Sequence, residues 1–273
     1  MKLKITGLLL LSLLFAACGE FNNVLKNPDL DVKFEYAKKY FDQGKYGRTA
    51  TLMEEYVQSR PHSSKGEEAL YLLARSYYEM KDYSTAAEYF KMYYTRFRAG
   101  EYTELARFYS AYCLFLDSPD PRLDQTTTYN AISQFLDFIE MYPQSEMRKK
   151  AEDSMFELQE KLALKELMAA QLYYKLGDYV VMISFPGANY SSCIITSQNA
   201  LRSYPNSKFR EEFMNLIFKS KYEMAMSSVE EKKDIRFRDV VDEYHNYANE
   251  YPEGKYIKDI KKMYDKVEKE LNN

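Results

Sequence analysis

Few residues in this sequence stand where covalent chemistry needs them, and the clearest is Cys18. It closes the stretch LLLLSLLFAACGE, directly behind Ala16 and Ala17. A thiol in that place can act as a nucleophile, and the small residues before it fit a peptidase that cuts ahead of the cysteine. Lys2 and Lys4 precede an apolar run over residues 5–17. The run is shorter than the roughly 20 apolar residues of a spanning helix. A basic start, an apolar middle and small residues before a cut make it a secretory signal. The other candidates for chemistry are weaker. Cys113 and Cys193 are too few for a disulfide framework and sit in apolar helical pattern, as buried small hydrophobes do. His62 follows Pro61 in a turn, and His245 lies on a charged helix with no second ligand at a metal spacing. Glu54-Glu55, Glu67-Glu68 and Glu230-Glu231 are adjacent pairs. Neighbours on a helix point to different faces, so these read as solvated surface and not as carboxylate dyads. No glycine loop cradles a phosphate, and no serine sits in a nucleophile elbow. The expectation is a protein that is not an enzyme and that uses no cofactor and no metal.

The segment ending at Cys18 resembles the lipobox of bacterial lipoproteins. In such signals the cysteine takes a diacylglyceryl group and becomes the first residue of the mature chain. Without Lys2 and Lys4, 36 basic residues face 41 acidic ones, a net charge of −5. Phosphate binding relies on a basic surface, so nucleic acid is not an expected partner. With 46% hydrophobic residues, nine glycines, eight prolines and almost no strand-type alternation, the chain reads as all-α.

What must position any site is a repeat. Five segments close alike, in SRPHS, TRFRAG, MYPQS, SYPNS and EYPEG, around Pro61, Arg98, Pro143, Pro205 and Pro252. Proline cannot continue a helix, and the small or polar residue after it can cap the next one. A pair of helices precedes each closure, joined by a short turn between two tyrosines, as in YFDQGKY, YYEMKDY and YYKLGDY. This pattern resembles the tetratricopeptide repeat, a helix-turn-helix of about 34 residues. In repeat 2, Leu70, Leu73, Ala74 and Tyr77 take the packing places of the first helix, and Tyr83, Ala86 and Phe90 those of the second. The expected fold is a solenoid of about five helix pairs. A capping helix over 254–271 follows, with Ile257, Ile260, Met263, Tyr264 and Val267 at helical spacing. The first helix of repeat 4 should be long, from about residue 145 to 176.

In such repeats the first helix of each pair also lines a concave groove, at places between the packing ones. Here these are Phe34, Lys38 and Phe41 in repeat 1, Tyr71, Arg75 and Tyr78 in repeat 2, and Phe108, Tyr112 and Phe115 in repeat 3. Aromatic walls with two cations suit an extended peptide that has apolar side chains and a free carboxylate. Core packing is the competing reading of the same aromatics.

The lipobox, the five repeats, the YP-x-S/G closures and AAQLYYKLGDYVV after a long helix together resemble the BamD family of outer membrane assembly lipoproteins. The resemblance covers nearly the whole chain. It implies a signal peptide over 1–17, a lipidated tether over 18–30, a peptide-binding half over 31–143 and a partner-binding half over 144–273. It implies a lipid anchor in the outer membrane at Cys18, a periplasmic face, and two kinds of partner. One is the polypeptide-transport domains of BamA, held by the later repeats. The other is unfolded outer membrane proteins, whose aromatic C-terminal ends the earlier repeats receive. The family's basic residue about nine places before the fourth closure is Thr196 here, and residues 182–192 are additional. A tetratricopeptide lipoprotein coordinating envelope or division processes is the alternative. A helical glycan-binding surface lipoprotein would be longer and would use tryptophan, which this chain lacks.

Overall fold

The computed structural model describes residues 19–177, 179 and 187–272. Cys18, the signal and part of the 182–192 insertion lie outside them. Helices α1 (Leu30–Asp42), α2 (Tyr46–Ser59), α3 (Ser64–Glu79), α4 (Tyr83–Arg96), α5 (Thr103–Leu116) and α6 (Thr126–Met141) pack each on the next. Then come α7 (Arg148–Leu176), α8 (Ala188–Ser203), α9 (Arg210–Met226), α10 (Glu230–Glu250) and α11 (Ile257–Leu271). The chain forms two compact bodies. The first holds the described residues to Pro119 with Asp124–Met155, and the second holds Asp120–Leu123 with the described residues from Phe156. No strand occurs among the described residues, and none of their helices is long and apolar enough to cross a membrane. The fold is an all-α solenoid of the tetratricopeptide type.

The closures explain why the helices stop. Arg60, Phe97, Tyr142, Tyr204 and Tyr251 end α2, α4, α6, α8 and α10 with φ between −112° and −133° and ψ between 59° and 73°. A following proline keeps the residue before it out of the helical region, and four of the five have one. Phe97 takes the same form before Arg98. The turn inside three of the pairs uses a left-handed residue. Gly44 (φ 70°) and Gly177 (φ 51°) supply it in repeats 1 and 4, and Lys81 (φ 63°) in repeat 2, where a side chain costs about 1–2 kcal/mol.

A tyrosine five residues before the proline place ties each of three pairs together. Tyr93 is fully buried, and its hydroxyl donates to Glu67 of α3 at 2.6 Å. The same oxygen accepts the Tyr102 N–H at 3.1 Å, which sets the start of α5. Tyr247 repeats this with Glu211 (2.6 Å) and the Tyr256 N–H (3.2 Å). In repeat 1, Tyr56 reaches Asp31, whose carboxyl Lys65 and Arg60 hold below its usual range. Burial together with the Glu67 or Glu211 carboxylate drives the hydroxyls of Tyr93 and Tyr247 well above the ordinary phenol range. Glycine in the RAG and PEG closures follows from this clasp. A Cβ at Gly100 would collide with Glu67 Oε1, and one at Gly254 would lie 2.6 Å from Glu211 Oε1.

Five of the seven packing places foreseen for repeat 2 are fully buried, and Tyr77 and Tyr83 pack against the same core partly buried. Leu70, Leu73, Ala74, Ala86 and Phe90 are all 0% exposed. Small residues let helices touch, and two hydroxyls mark the closeness. Thr49 donates to the Ala37 carbonyl and Ser110 to that of Ala87, each at 3.1 Å. Adding bulk there forces neighbours off their rotamers. Ala74→Leu and Ala86→Leu are each expected to lower stability by about 1–3 kcal/mol in circular dichroism melts. Unchanged midpoints in both would contradict the register.

α7 starts at Arg148, three residues later than expected, and its 29 residues reach about 44 Å. α11 buries Ile260 and Val267 and stacks Tyr264 on Tyr244 at 4.0 Å, as a capping helix should. The segment read as a tether differs from expectation. Residues 19–25 are helical and pack on α1, with Val24 buried. Two of the three acidic pairs differ too, whereas Glu230 and Glu231 are exposed, as read. Glu54 accepts the Tyr77 hydroxyl, Glu55 binds the buried Lys33 at 2.6 Å, Glu67 makes the clasp and Glu68 pairs with Lys38. Each has a named partner, where adjacency alone suggested only solvent.

Candidate functional site: the face of the first helices

Nine side chains on α1, α3 and α5 recur every 37 residues. Phe34, Tyr71 and Phe108 form one row, Lys38, Arg75 and Tyr112 the next, and Phe41, Tyr78 and Phe115 the third. A repeat of this length places equivalent residues on equivalent faces. Contacts between neighbouring helices tie the rows together. Lys38 of α1 reaches Glu68 of α3 at 2.6 Å. Arg75 and Tyr78 of α3 meet Tyr109 of α5, at 5.7 Å from guanidinium to ring and 5.3 Å between rings. Tyr71 stacks on Tyr102, ahead of α5, at 4.2 Å and 11°.

The first row is core and not an open wall, which corrects the expectation for Phe34, Tyr71 and Phe108. Phe34 and Phe108 are each 1% exposed and Tyr71 is 9% exposed. Phe34 packs on Tyr56 at 5.2 Å, and Phe108 meets Phe138 at 5.6 Å. These places lie nearest the second helix of their own pair, so an aromatic ring there fills the space between the two helices. They support the face from beneath.

The second and third rows reach the surface. Lys38 is half-exposed, and its hydrogen bond to Glu68 raises its pKa above the usual lysine value. Arg75 pairs with Glu79 at 3.1 Å, while its Nε–H is buried with no partner. Both cations therefore carry carboxylates that the sequence reading did not assign to them. Phe41 rests edge-on against Tyr46 at 5.3 Å. Burial, reinforced by neighbouring Tyr112 and Tyr109, pushes the Tyr78 hydroxyl up to about 12, so it remains a neutral donor. Tyr112 lies between Phe108 and Phe115, stacked at 5.5 Å on each.

Lys150 was missed. Its ammonium sits 4.1 Å from the centre of the Tyr112 ring and 5.8 Å from that of Phe108. Its neighbours Arg148 and Lys149 pair with Glu152 and Asp153, whereas Lys150 has no carboxylate partner among the described residues. It belongs to the first turns of α7, which the repeat map assigns to repeat 4. Only the packing of those turns into the first body brings it to this face. In chemical terms the face offers flat aromatic surface, a phenol donor and three cations, two of them in exchangeable surface pairs. No group of side chains that could hold a metal occurs among the described residues.

The second body carries a different surface. Met168, Leu172 and Leu176 follow one another at four-residue steps along α7, exposed by 37%, 57% and 38%. Tyr179 beyond them and Ile195 on α8 are exposed by 69% and 57%. Cys193, two residues before Ile195, is buried and free, as is Cys113 in the first body.

Residues 29–185 match the model of the YfiO family, described as outer membrane lipoprotein. Among solved structures, the crystal structure of TTC0263, a thermophilic TPR protein of Thermus thermophilus, is similar with a TM-score of 0.34 and 15% identity. That similarity covers 88% of this chain and 98% of the other. No curated protein sequence matches.

Proposed function

The chain belongs to the YfiO family of outer membrane lipoproteins, and from that premise we propose that it is a scaffold of outer membrane β-barrel assembly. It binds the C-terminal segments of unfolded barrel proteins on the face of its first body. It holds the polypeptide-transport domains of a BamA-type barrel partner with its second body. Cys18 carries the lipid, and the body of the protein stands on the periplasmic side of the outer membrane.

The observation that carries this reading is the 37-residue recurrence of aromatic and cationic side chains on α1, α3 and α5. An extended chain presents alternate side chains to one surface, and Phe41, Tyr78, Tyr112 and Phe115 give flat apolar ground for aromatic ones. Lys38 and Arg75 hold Glu68 and Glu79 in pairs that are about a third to a half exposed. Such pairs contribute about 0–1 kcal/mol, so an incoming terminal carboxylate can exchange with Glu68 or Glu79 at little cost. The apolar row from Met168 to Tyr179 with Ile195 supports a protein-binding role for the second body.

Fluorescence anisotropy with a labelled peptide ending in Phe tests the reading, set against the same peptide amidated at its C-terminus. The free carboxylate should bind at least tenfold more tightly. Equal binding of the two, or none by either, would remove the first body as the receiving surface.

A further inference from the structure

The segment after Cys18 is held, not loose. Residues 19–25 are helical, and Val24 is 5% exposed in the core of the first body. Phe21 sets its ring edge-on to Tyr40 at 5.8 Å, and Glu20 pairs with Lys39 at 3.2 Å. The Arg48 guanidinium lies 5.2 Å from the Phe21 ring and 5.5 Å from that of Tyr40. The Lys45 ammonium stands 5.5 Å from the same Tyr40 ring. Three cations from α1, α2 and the turn between them thus gather around the docked helix. Lys39 and Lys45 are exposed.

We propose that Lys39, Lys45 and Arg48 bind the phosphate headgroups of anionic lipids in the membrane that holds the anchor, and so seat the first repeat on the bilayer surface. This rests on the reading of Cys18 as the lipidated residue. Glu20 is two residues from Cys18, and a chain spans at most about 3.6 Å per residue. Whatever path those residues take, the lipid-bearing sulfur lies within roughly 10 Å of the Glu20 backbone. That is close to the distance of about 8 Å over which charges act at physiological salt. The anchor therefore brings this cluster to the headgroups, which a long tether would not do. Surface cations beside anionic lipid each strengthen attachment by about fivefold, so three together amount to roughly a hundredfold.

The test measures how fast the full lipidated protein leaves donor vesicles for excess acceptor vesicles. Donors contain either phosphatidylglycerol with phosphatidylcholine or phosphatidylcholine alone. The variant Lys39→Gln/Lys45→Gln/Arg48→Gln should leave the anionic vesicles about a hundredfold faster than the unaltered protein, and the neutral ones at the same rate. Lys45→Gln alone, at an exposed side chain, should leave about fivefold faster with an unchanged melt. This keeps the proposal testable if the triple variant loosens the docked helix. A control, Lys258→Gln/Lys262→Gln/Lys266→Gln, removes the same charge from the exposed side of α11 and should behave as the unaltered protein. Equal rates for the triple variant, for Lys45→Gln and for the unaltered protein on anionic vesicles would overturn the proposal. So would a control variant that leaves as fast as the triple one. Intact mass separates the two layers of the argument. Protein without a diacylglyceryl group on Cys18 overturns the anchor and the headgroup surface together. Lipidated protein whose variants leave no faster overturns the headgroup surface alone.

Discussion

Cys18→Ser is expected to move the chain out of the outer membrane fraction, as a soluble or an unprocessed product whose mass lacks the lipid. The size of the effect follows from the chemistry of the anchor. Each buried methylene contributes about 0.8 kcal/mol, so even one acyl chain binds membranes measurably and two hold the protein there. Serine places a hydroxyl where the thioether must form, and a hydroxyl is the weaker nucleophile. No surface contact of the folded repeats compensates for that loss, because three cations at a headgroup surface offset only a small part of it. Fractionation with intact mass measurement decides the point. A Cys18→Ser protein that stays in the membrane with the unaltered protein's mass would show that the anchor lies elsewhere.

The second large effect is on peptide binding. Lys38→Ala/Arg75→Ala should weaken binding of a peptide ending in Phe by about tenfold to a hundredfold, since a charge-assisted hydrogen bond contributes roughly 1.5–3 kcal/mol. Binding should also become less dependent on salt. The double variant should stay folded, because each substitution breaks one partly exposed ion pair and one contact of a cation with a ring. It also leaves Glu68 and Glu79 without their cations, so a carboxylate-ended peptide meets repulsion where it met attraction. The amidated peptide should lose less. If the double variant binds both peptides as tightly as the unaltered protein, the face of the first helices is not the receiving surface. Phe34 and Tyr71 cannot serve in this test. Both are buried, and truncating an aromatic ring in a core costs about 3–5 kcal/mol, so Phe34→Ala would report on folding.

The repeat architecture was legible because its signals are local. A proline after four of the five second helices, a turn between two tyrosines and alanines at helix crossings each act within a few residues of chain. They brought out the helix pairs and the buried places of repeat 2. What was not legible depends on contacts between residues far apart in sequence. The Tyr93–Glu67 clasp joins residues 26 apart, so Glu67 looked like half of a solvated pair. Lys150 reaches Tyr112 across 38 residues of chain and from another repeat. The helix over 19–25 has Phe21, Val24 and Leu25 as its apolar residues, too few for a periodic signal, yet Phe21 and Val24 suffice once Tyr40 and Arg48 meet them. At the proposed site, spacing gave the recurrence but could not separate its buried first row from its partly exposed second and third. That distinction depends on the angle between paired helices, which no single helix encodes.

The central claim is that this lipoprotein works in barrel assembly, and affinity purification of the tagged full chain from its native membrane in mild detergent tests it most directly. Mass spectrometry of the eluate should find, in near-equal amount, an outer membrane barrel protein that carries polypeptide-transport domains, with nascent barrel proteins in smaller quantity. An eluate without such a barrel protein, holding division or envelope-coordination proteins in its place, would contradict the account.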